Sequence, residues 1–365
     1  MKRLIPYITL LLALLLAGCD DMKDIPLPID LPTTANETGK FYVLSEGLFN
    51  MNNSKLCLLN FDNHSLNTDY FLYVNNRSLG DTGNDMKVYG SKLWIVMNVS
   101  SQLEVVDLKS GISIKRIVFF NENNVPRQPR YITFSANKAY ICSFDGTVAR
   151  IDTSSLTIEA ITRVGRNPDG ITTANGKLYV ANSGGLDASS GGVYDNTVSV
   201  IDINTFAETK KITVGINPFK PTADSQGDVY TVVRGDNSTV KASFCRISSQ
   251  SDEVIQTFVN LPALNFTIKN DTAYLYSFNY SNNSYWVKTF DCKTEQIISE
   301  NFITDGTTLV RPFGIYIHPN NGHVYLTDAL NYTIKGDLYC FNRNGKLQYK
   351  VESVGLNPST MLALP

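Results

Sequence analysis

The pentapeptide Val-Gly-x-Asn-Pro occurs three times, at Val164–Pro168, Val214–Pro218 and Val354–Pro358. A recurring turn of this kind marks repeated supersecondary units, and the period of a repeat constrains the fold before any local propensity does. Alignment on the segment after each turn brings seven aromatic-centred runs into line: Phe41–Leu44, Leu93–Val96, Ala139–Cys142, Leu178–Ala181, Val229–Val232, Ala273–Tyr276 and Val324–Thr327. Their spacing, roughly 40 to 50 residues, is that of a four-stranded propeller blade. Turns such as Ala174-Asn175-Gly176-Lys177 precede them and suit tight hairpins. A third strand follows, often ending in an aspartate (Asp62, Asp107, Asp152, Asp202, Asp291) placed to accept hydrogen bonds from amides of the next turn. The fourth strands, such as Ala207-Glu-Thr-Lys-Lys-Ile-Thr213, are polar, as a rim strand should be.

The ends of the repeat set its topology. After the last Asn-Pro only Ser359–Pro365 remain, one inner strand with no blade left to build. The run from Lys40 is a second strand that lacks an inner one. The expectation is an all-β, seven-bladed β-propeller over residues 39–365, closed by the C-terminal strand pairing into the first blade. In each Asn-Pro turn proline fixes φ, and the asparagine before it is expected to be extended.

Residues before the propeller read differently. Lys2 and Arg3 lead an apolar run from Leu4 to Ala17, short for a membrane span. It ends in Leu15-Leu-Ala-Gly-Cys19, which resembles a bacterial lipobox. That resemblance implies a lipoprotein signal peptide over 1–18, lipidation at Cys19 and a lipid-anchored linker over 19–38. The acidic Cys19-Asp-Asp-Met-Lys-Asp24 resembles the surface-export signal of Bacteroidetes lipoproteins, which implies an outer-membrane, cell-surface location. Pro26, Pro28 and Pro32 suit a stiff linker.

Composition excludes several functions. The net charge is −2 and no basic run is present, so nucleic acid is not expected as a partner. Cys57, Cys142, Cys245, Cys292 and Cys340 are scattered and odd in number, which argues against a disulfide framework. Most sit in apolar strand-like runs and read as buried thiols; Cys57 and Cys340 meet only if the first and last repeats touch.

The Val-Gly-x-Asn-Pro, Gly176-Lys-Leu-Tyr-Val-Ala-Asn-Ser183 and Val198-Ser-Val-Ile-Asp202 segments resemble the YncE-like, or lactonase-like, seven-bladed propellers. In such a fold, loops converge around one mouth of the axial channel. The lead-in positions here are Asp85, Arg130, Asp169, Lys220, Asn265, Phe313 and Ser359, and the exit positions are Glu46, Asn98, Phe144, Asn182, Arg234, Phe278 and Asp328. Twelve of these form the candidate ligand-binding set: Glu46, Asp85, Asn98, Arg130, Phe144, Asp169, Asn182, Lys220, Arg234, Phe278, Phe313 and Asp328. Glu46, Asp85, Asp169 and Asp328 hold a hard cation only if they converge, so no metal and no cofactor is assigned. His64 lies in a turn, and His318 and His323 flank a hairpin on the opposite face, which argues against an enzyme.

A YncE-like propeller behind a lipobox and an acidic tail resembles the BtuG-type surface lipoproteins. That resemblance implies capture of a cobamide (vitamin B12) or other small molecule for a TonB-dependent outer-membrane transporter. Tyr- and Asn-rich loops serve a protein or glycan partner equally well, and a lactonase-like hydrolase is the third reading.

Overall fold

A computed structural model describes residues 26–31, 37–236 and 238–364; Cys19 and the segment read as a signal peptide lie outside the described residues. Seven antiparallel sheets are arranged as the blades of a propeller. Each blade runs from an inner strand at the axis to an outer strand at the rim. Blade 2, for example, comprises Gly83–Tyr89, Lys92–Met97, Gln102–Asp107 and Ser113–Val118. Blades 3 to 7 begin at Pro129, Pro168, Pro218, Asn265 and Pro312.

Blade 1 takes its inner strand from the far end of the chain. Pro358–Ala363 pairs with Lys40–Ser45 in the register Phe41↔Ala363, Val43↔Met361 and Ser45↔Pro358. The sheet then continues through Lys55–Asn60 and Ser65–Asn67. Within the segment read as a linker, Ile29–Asp30 adds a fifth strand on the rim edge, paired with Leu66 and Ser65.

Seven apolar clusters among the described residues fill the seven gaps between neighbouring blades. The recurring aromatic of each second strand supplies much of this packing: Tyr42, Trp94, Tyr140, Tyr179, Tyr230 and Tyr325 are all essentially inaccessible. Two of their hydroxyls find partners across the gap, Tyr230 donating to the Cys292 carbonyl at 2.9 Å and Tyr179 to Asp252, whereas Trp94 Nε1 has no partner among the described residues. The third-strand aspartates act as expected in four blades: Asp107, Asp152, Asp202 and Asp291 accept from the amides of Ser110, Ser155, Thr205 and Thr294. Asp62 instead accepts from Gly39 N, 23 residues upstream. All five cysteines in the propeller are buried free thiols; Cys57 and Cys340 share one cluster without bonding.

One local expectation is corrected. The asparagines before proline are not extended. Asn167, Asn217 and Asn357 have φ of 44°, 60° and 53°. Asparagine tolerates the left-handed region, and that backbone state turns its carbonyl onto the amide that leaves the same blade's second strand. Ser183 N, Arg234 N and Glu46 N donate to these carbonyls at 3.1, 3.0 and 3.0 Å. Gln128 and Thr82 repeat the state in blades 3 and 2, accepting from Phe144 N and Asn98 N. Just beyond this turn the inner strand carries a register shift in six of the seven blades, blade 6 being the exception. A bulge there bends the strand and re-aims the side chains at its axial end.

Inner strands crowd one another, which is why small residues recur in them. A Cβ on Gly170 would lie 2.5 Å from the Lys220 backbone, and one on Gly314 would lie 2.5 Å from the Ser359 carbonyl.

Ring closure predicts a measurable weakness. Met361 is 3 % exposed inside the cluster between blades 7 and 1. Met361→Ala should cost about 2–5 kcal/mol in denaturant unfolding. Deleting residues 358–365 should instead abolish the single cooperative transition, because Lys40–Ser45 is left as an unpaired, apolar edge.

Candidate functional site

The left-handed turns and bulges deliver side chains to one mouth of the axis, where a cavity of about 370 Å³ opens. Its walls are uneven. Blades 5, 6 and 7 supply Phe219, Lys220, Arg234, Asn265, Tyr276, Phe278, Tyr280, Phe313 and Tyr332, and blade 1 adds Glu46, Ser359 and Thr360. On the opposite side only Asn84, Arg130 and Tyr131 reach it. Polar links between neighbouring blades occupy that side. Thr360 Oγ1 donates to Asn84 O at 3.4 Å, Asn84 Nδ2 donates to Arg130 O, and Arg130 Nε donates to Asp169 Oδ1 at 2.8 Å.

Six of the twelve sequence-derived positions line the cavity: Glu46, Arg130, Lys220, Arg234, Phe278 and Phe313. The other six are committed to the framework around it. Asp169 holds Arg130, and Phe144 stacks under the same guanidinium at 4.4 Å from ring centroid to Cζ. Asp85 accepts from Ile132 N at 3.1 Å, and Asn98 Nδ2 donates to Pro129 O at 3.2 Å. Asn182 accepts from Gly165 N and donates to Thr197 and Ser199. Asp328 is inaccessible and accepts from the amides of Val310, Arg311 and Leu330.

Asn182 and Asp328 miss the cavity for a common reason. Each pairs directly with the lead-in proline, Pro168 or Pro312, so the true exit residues are Ser183 and Ala329, one step later. A one-residue slip along a strand moves a side chain to the other face. Ser183 N and Ala329 N make the same amide-to-carbonyl link that Glu46 and Arg234 make in blades 1 and 5. The four acidic residues weighed as cation ligands therefore do not converge among the described residues.

Sequence reasoning missed Asn84, Tyr131, Asn217, Phe219, Leu264, Tyr276, Tyr280, Pro312, Tyr332 and Thr360. For Asn84 and Phe219 the usable signal was the position directly after the strand-opening residue, as in Arg130 and Asp169. Tyr332 carried no such signal. It arrives through a turn in which Leu330 and Tyr332 have φ of 52° and 67°.

Aromatic rings make one wall. Phe278 and Tyr280 meet edge-on at 5.0 Å, as do Phe313 and Tyr332 at 5.9 Å, and the Tyr280 and Tyr332 hydroxyls lie 3.2 Å apart. Arg311 stacks on both Phe278 and Tyr332, at 5.3 and 4.9 Å. Arg234 lies over the Phe219 ring and donates Nε to Leu264 O at 3.2 Å, leaving its other N–H groups toward the cavity wall.

The mouth extends sideways on both flanks. A second cavity of about 450 Å³ shares Arg234, Leu264, Phe278 and Tyr280 with the first and is also walled by Val240, Lys241 and Trp286. A third of about 390 Å³ shares Glu46, Phe313 and Tyr332 and is bordered by Leu48 and Phe49. Phe49, Met51 and Tyr280 stand more than 60 % exposed on the loops beside these cavities. The loop after Asn182 takes no part. It is folded over its own short helix, Gly185–Ser189, by Arg166, which donates to Asp187, Val193 O and Tyr194 O.

Charge is unusual at the centre. Burial pushes the Glu46 carboxyl up to about 7, with Asp169 adding to the rise and Arg130 and Arg234 opposing it. Burial drives the Lys220 ammonium down to about 8, against the pull of Asp85. Among the described residues neither Lys220 nor Arg234 has a carboxylate within 4.0 Å. With Arg130 neutralised by Asp169, the mouth carries net positive charge whenever Glu46 is protonated. None of the three histidines lines it.

Glu46 predicts a specific pH response. Its native carboxyl keeps its proton from 4.5 to about 7, where the unfolded chain has released it. The unfolded state thus binds fewer protons in that window, and stability falls as pH rises through it. Glu46→Gln should match the wild type near pH 4.5 and exceed it by about 1–3 kcal/mol at pH 8 in urea unfolding.

Residues 39–357 match a family described as a domain of unknown function (DUF5074). No curated protein matches the chain. Among solved structures, a quinoprotein alcohol dehydrogenase-like protein from Bacteroides thetaiotaomicron aligns with a TM-score of 0.64 and 16 % identity, over 89 % of this chain and 78 % of its own. Hydrazine synthase of Kuenenia stuttgartiensis aligns at 0.58 and 15 %, over 74 % and 86 %. The dihydro-heme d1 dehydrogenase NirN aligns at 0.55 and 10 %, over 92 % and 78 %. At these identities the likeness is one of fold.

Proposed function

The chain belongs to the DUF5074 family, and taking that membership as premise we propose that this propeller is a ligand-capturing protein whose cargo is a cobamide, taken up at the axial mouth. The observation that carries the reading is the central cavity with a neighbour on either flank, each sharing wall residues with it. A corrinoid is broad and flat and bears many amides. Its span suits three adjacent hollows better than one, its ring faces suit Phe278, Tyr280, Phe313 and Tyr332, and its amides suit Asn84, Asn217 and Asn265. Cationic Lys220 and Arg234 suit the anionic phosphodiester of the nucleotide loop. Many modest contacts on a rigid scaffold give affinity by preorganisation.

On this reading, Cys19 carries the lipid, the propeller stands at the cell surface, and a TonB-dependent transporter receives the cargo. Among the described residues no helix is long and apolar enough to cross a membrane. Binding is favoured over catalysis because Glu46, the one acid tuned toward neutrality in the mouth, shares the lining with no histidine and no second carboxylate.

Calorimetry with cyanocobalamin tests the reading directly, and fluorescence offers a second channel. Trp94 is inaccessible, so quenching by ligand should come from Trp286 beside the second cavity. Binding at micromolar ligand or below is expected, with Arg234→Ala weakening it at least tenfold, about 1.4 kcal/mol or more. Absence of heat and of quenching at tens of micromolar ligand removes cobamide as the cargo.

A further inference from the structure

On the face opposite the mouth, three chemically different donors meet at the seam between blades 7 and 1. Glu37 stands just ahead of Lys40–Ser45, the second strand of blade 1. His323 directly precedes the second strand of blade 7, Val324–Asp328, and Cys340 lies in the third. Cys340 pairs with Tyr325, and the two-residue alternation of the strand puts His323 on the same face as both. The His323 Nδ1 atom lies 2.6 Å from Glu37 Oε1 and 3.6 Å from Cys340 Sγ. The ligand atoms of all three lie within 4.8 Å of one another.

This is more convergence than a hydrogen bond requires. A single imidazole nitrogen has one proton or one lone pair to offer, yet here it faces a carboxylate and a thiol together. The spacing suits a metal. Zinc bound tetrahedrally to a thiolate at about 2.3 Å and an imidazole at about 2.05 Å separates sulfur from nitrogen by about 3.6 Å. A carboxylate oxygen completing that geometry sits about 3.3 Å from the nitrogen, so Glu37 has to retreat by roughly 0.7 Å. Its other oxygen is already held by Asn321 Nδ2 at 3.2 Å, which orients the carboxylate. The site is sheltered but reachable: Cys340 is inaccessible, and the Glu37 and His323 side chains are 11 % and 23 % exposed.

We propose that Glu37, His323 and Cys340 bind one borderline-soft divalent cation of the zinc class. The three protein ligands leave a fourth position to water. On binding, the Cys340 thiol gives up its proton to solvent, the proton between His323 Nδ1 and Glu37 leaves to solvent while the ring carries its proton on Nε2, and the freed Nδ1 lone pair and carboxylate oxygen each form a metal bond. The ion ties the segment that leads into blade 1 to blade 7, beside the stacked Phe41 and Tyr325 rings at 4.4 Å. It thereby clasps the ring from the N-terminal side of the seam that the C-terminal strand closes.

The test uses the full-length protein in detergent, stripped with chelator under reducing conditions and titrated with zinc. Uptake of one equivalent with sub-micromolar affinity is expected, together with a rise in Tm. Cobalt(II) in place of zinc should show thiolate-to-metal charge-transfer absorption. Cys340→Ser should abolish that absorption, and Glu37→Gln should weaken uptake at least tenfold while leaving the circular dichroism spectrum and the metal-free Tm unchanged. Cys57→Ser, a thiol in the same apolar cluster, should leave uptake intact. No stoichiometric uptake by the wild type, or uptake and absorption that survive both Cys340→Ser and Glu37→Gln, overturns the proposal.

Discussion

Everything at the axial mouth depends on the pairing of Pro358–Ala363 with Lys40–Ser45. A propeller blade is a small twisted sheet with one edge at the axis, and a ring of such sheets holds its shape only if no inter-blade gap is left open. Here the last gap is closed by backbone hydrogen bonds between segments more than 300 residues apart, reinforced by the apolar cluster beneath them. That closure also builds the site. Glu46 lies directly beyond Ser45, Ser359 and Thr360 lie in the closing strand itself, and Asn357 O accepts from Glu46 N. Loss of the strand therefore removes one wall of the mouth along with the seam.

The second constraint is the left-handed residue ahead of the inner strand in blades 1 to 5. In six blades its carbonyl, or that of Arg311 in blade 7, accepts from the amide that leaves the second strand. Each bond clamps a lead-in loop to an exit loop of the same blade. The bulge that follows swings the next side chains toward the axis. Because clamp and bulge recur, the mouth is assembled from equivalent positions whose side chains differ. Blades 2 to 4 spend Asn84, Arg130 and Asp169 on links to one another, while blades 5 to 7, though linked through Arg234 to Leu264 O and Tyr276 to Phe313 O, still turn Phe219, Lys220, Phe278, Phe313 and Tyr332 to the cavity. The asymmetry of the cavity follows from that division.

Electrostatics in the mouth follow from the same enclosure. Removing water raises Glu46 and lowers Lys220, so both charged forms are disfavoured by one cause. Arg130 escapes this because Asp169 and the Phe144 ring accompany it. The framework residues around the cavity thus decide how much charge the lining residues carry.

The repeat period, the aromatic of each second strand, the aspartate turns and the incomplete ends were enough to read seven blades and their closure from the amino-acid sequence, because each is a local pattern with a local cause. Glu46, Arg130, Lys220, Arg234, Phe278 and Phe313 were legible as site residues for the same reason, since they sit at fixed offsets from those patterns. What tertiary structure alone decided was register and convergence. One residue of slip sent Asn182 and Asp328 into the framework, the asparagine turns proved left-handed, and Tyr276, Tyr280 and Tyr332 joined the wall from strand and loop paths with no repeating offset. The meeting of Glu37, His323 and Cys340 belongs to the same category. Strand periodicity tells which residues alternate; only the closed ring, by setting how far each strand slides against its neighbour, tells which of them meet.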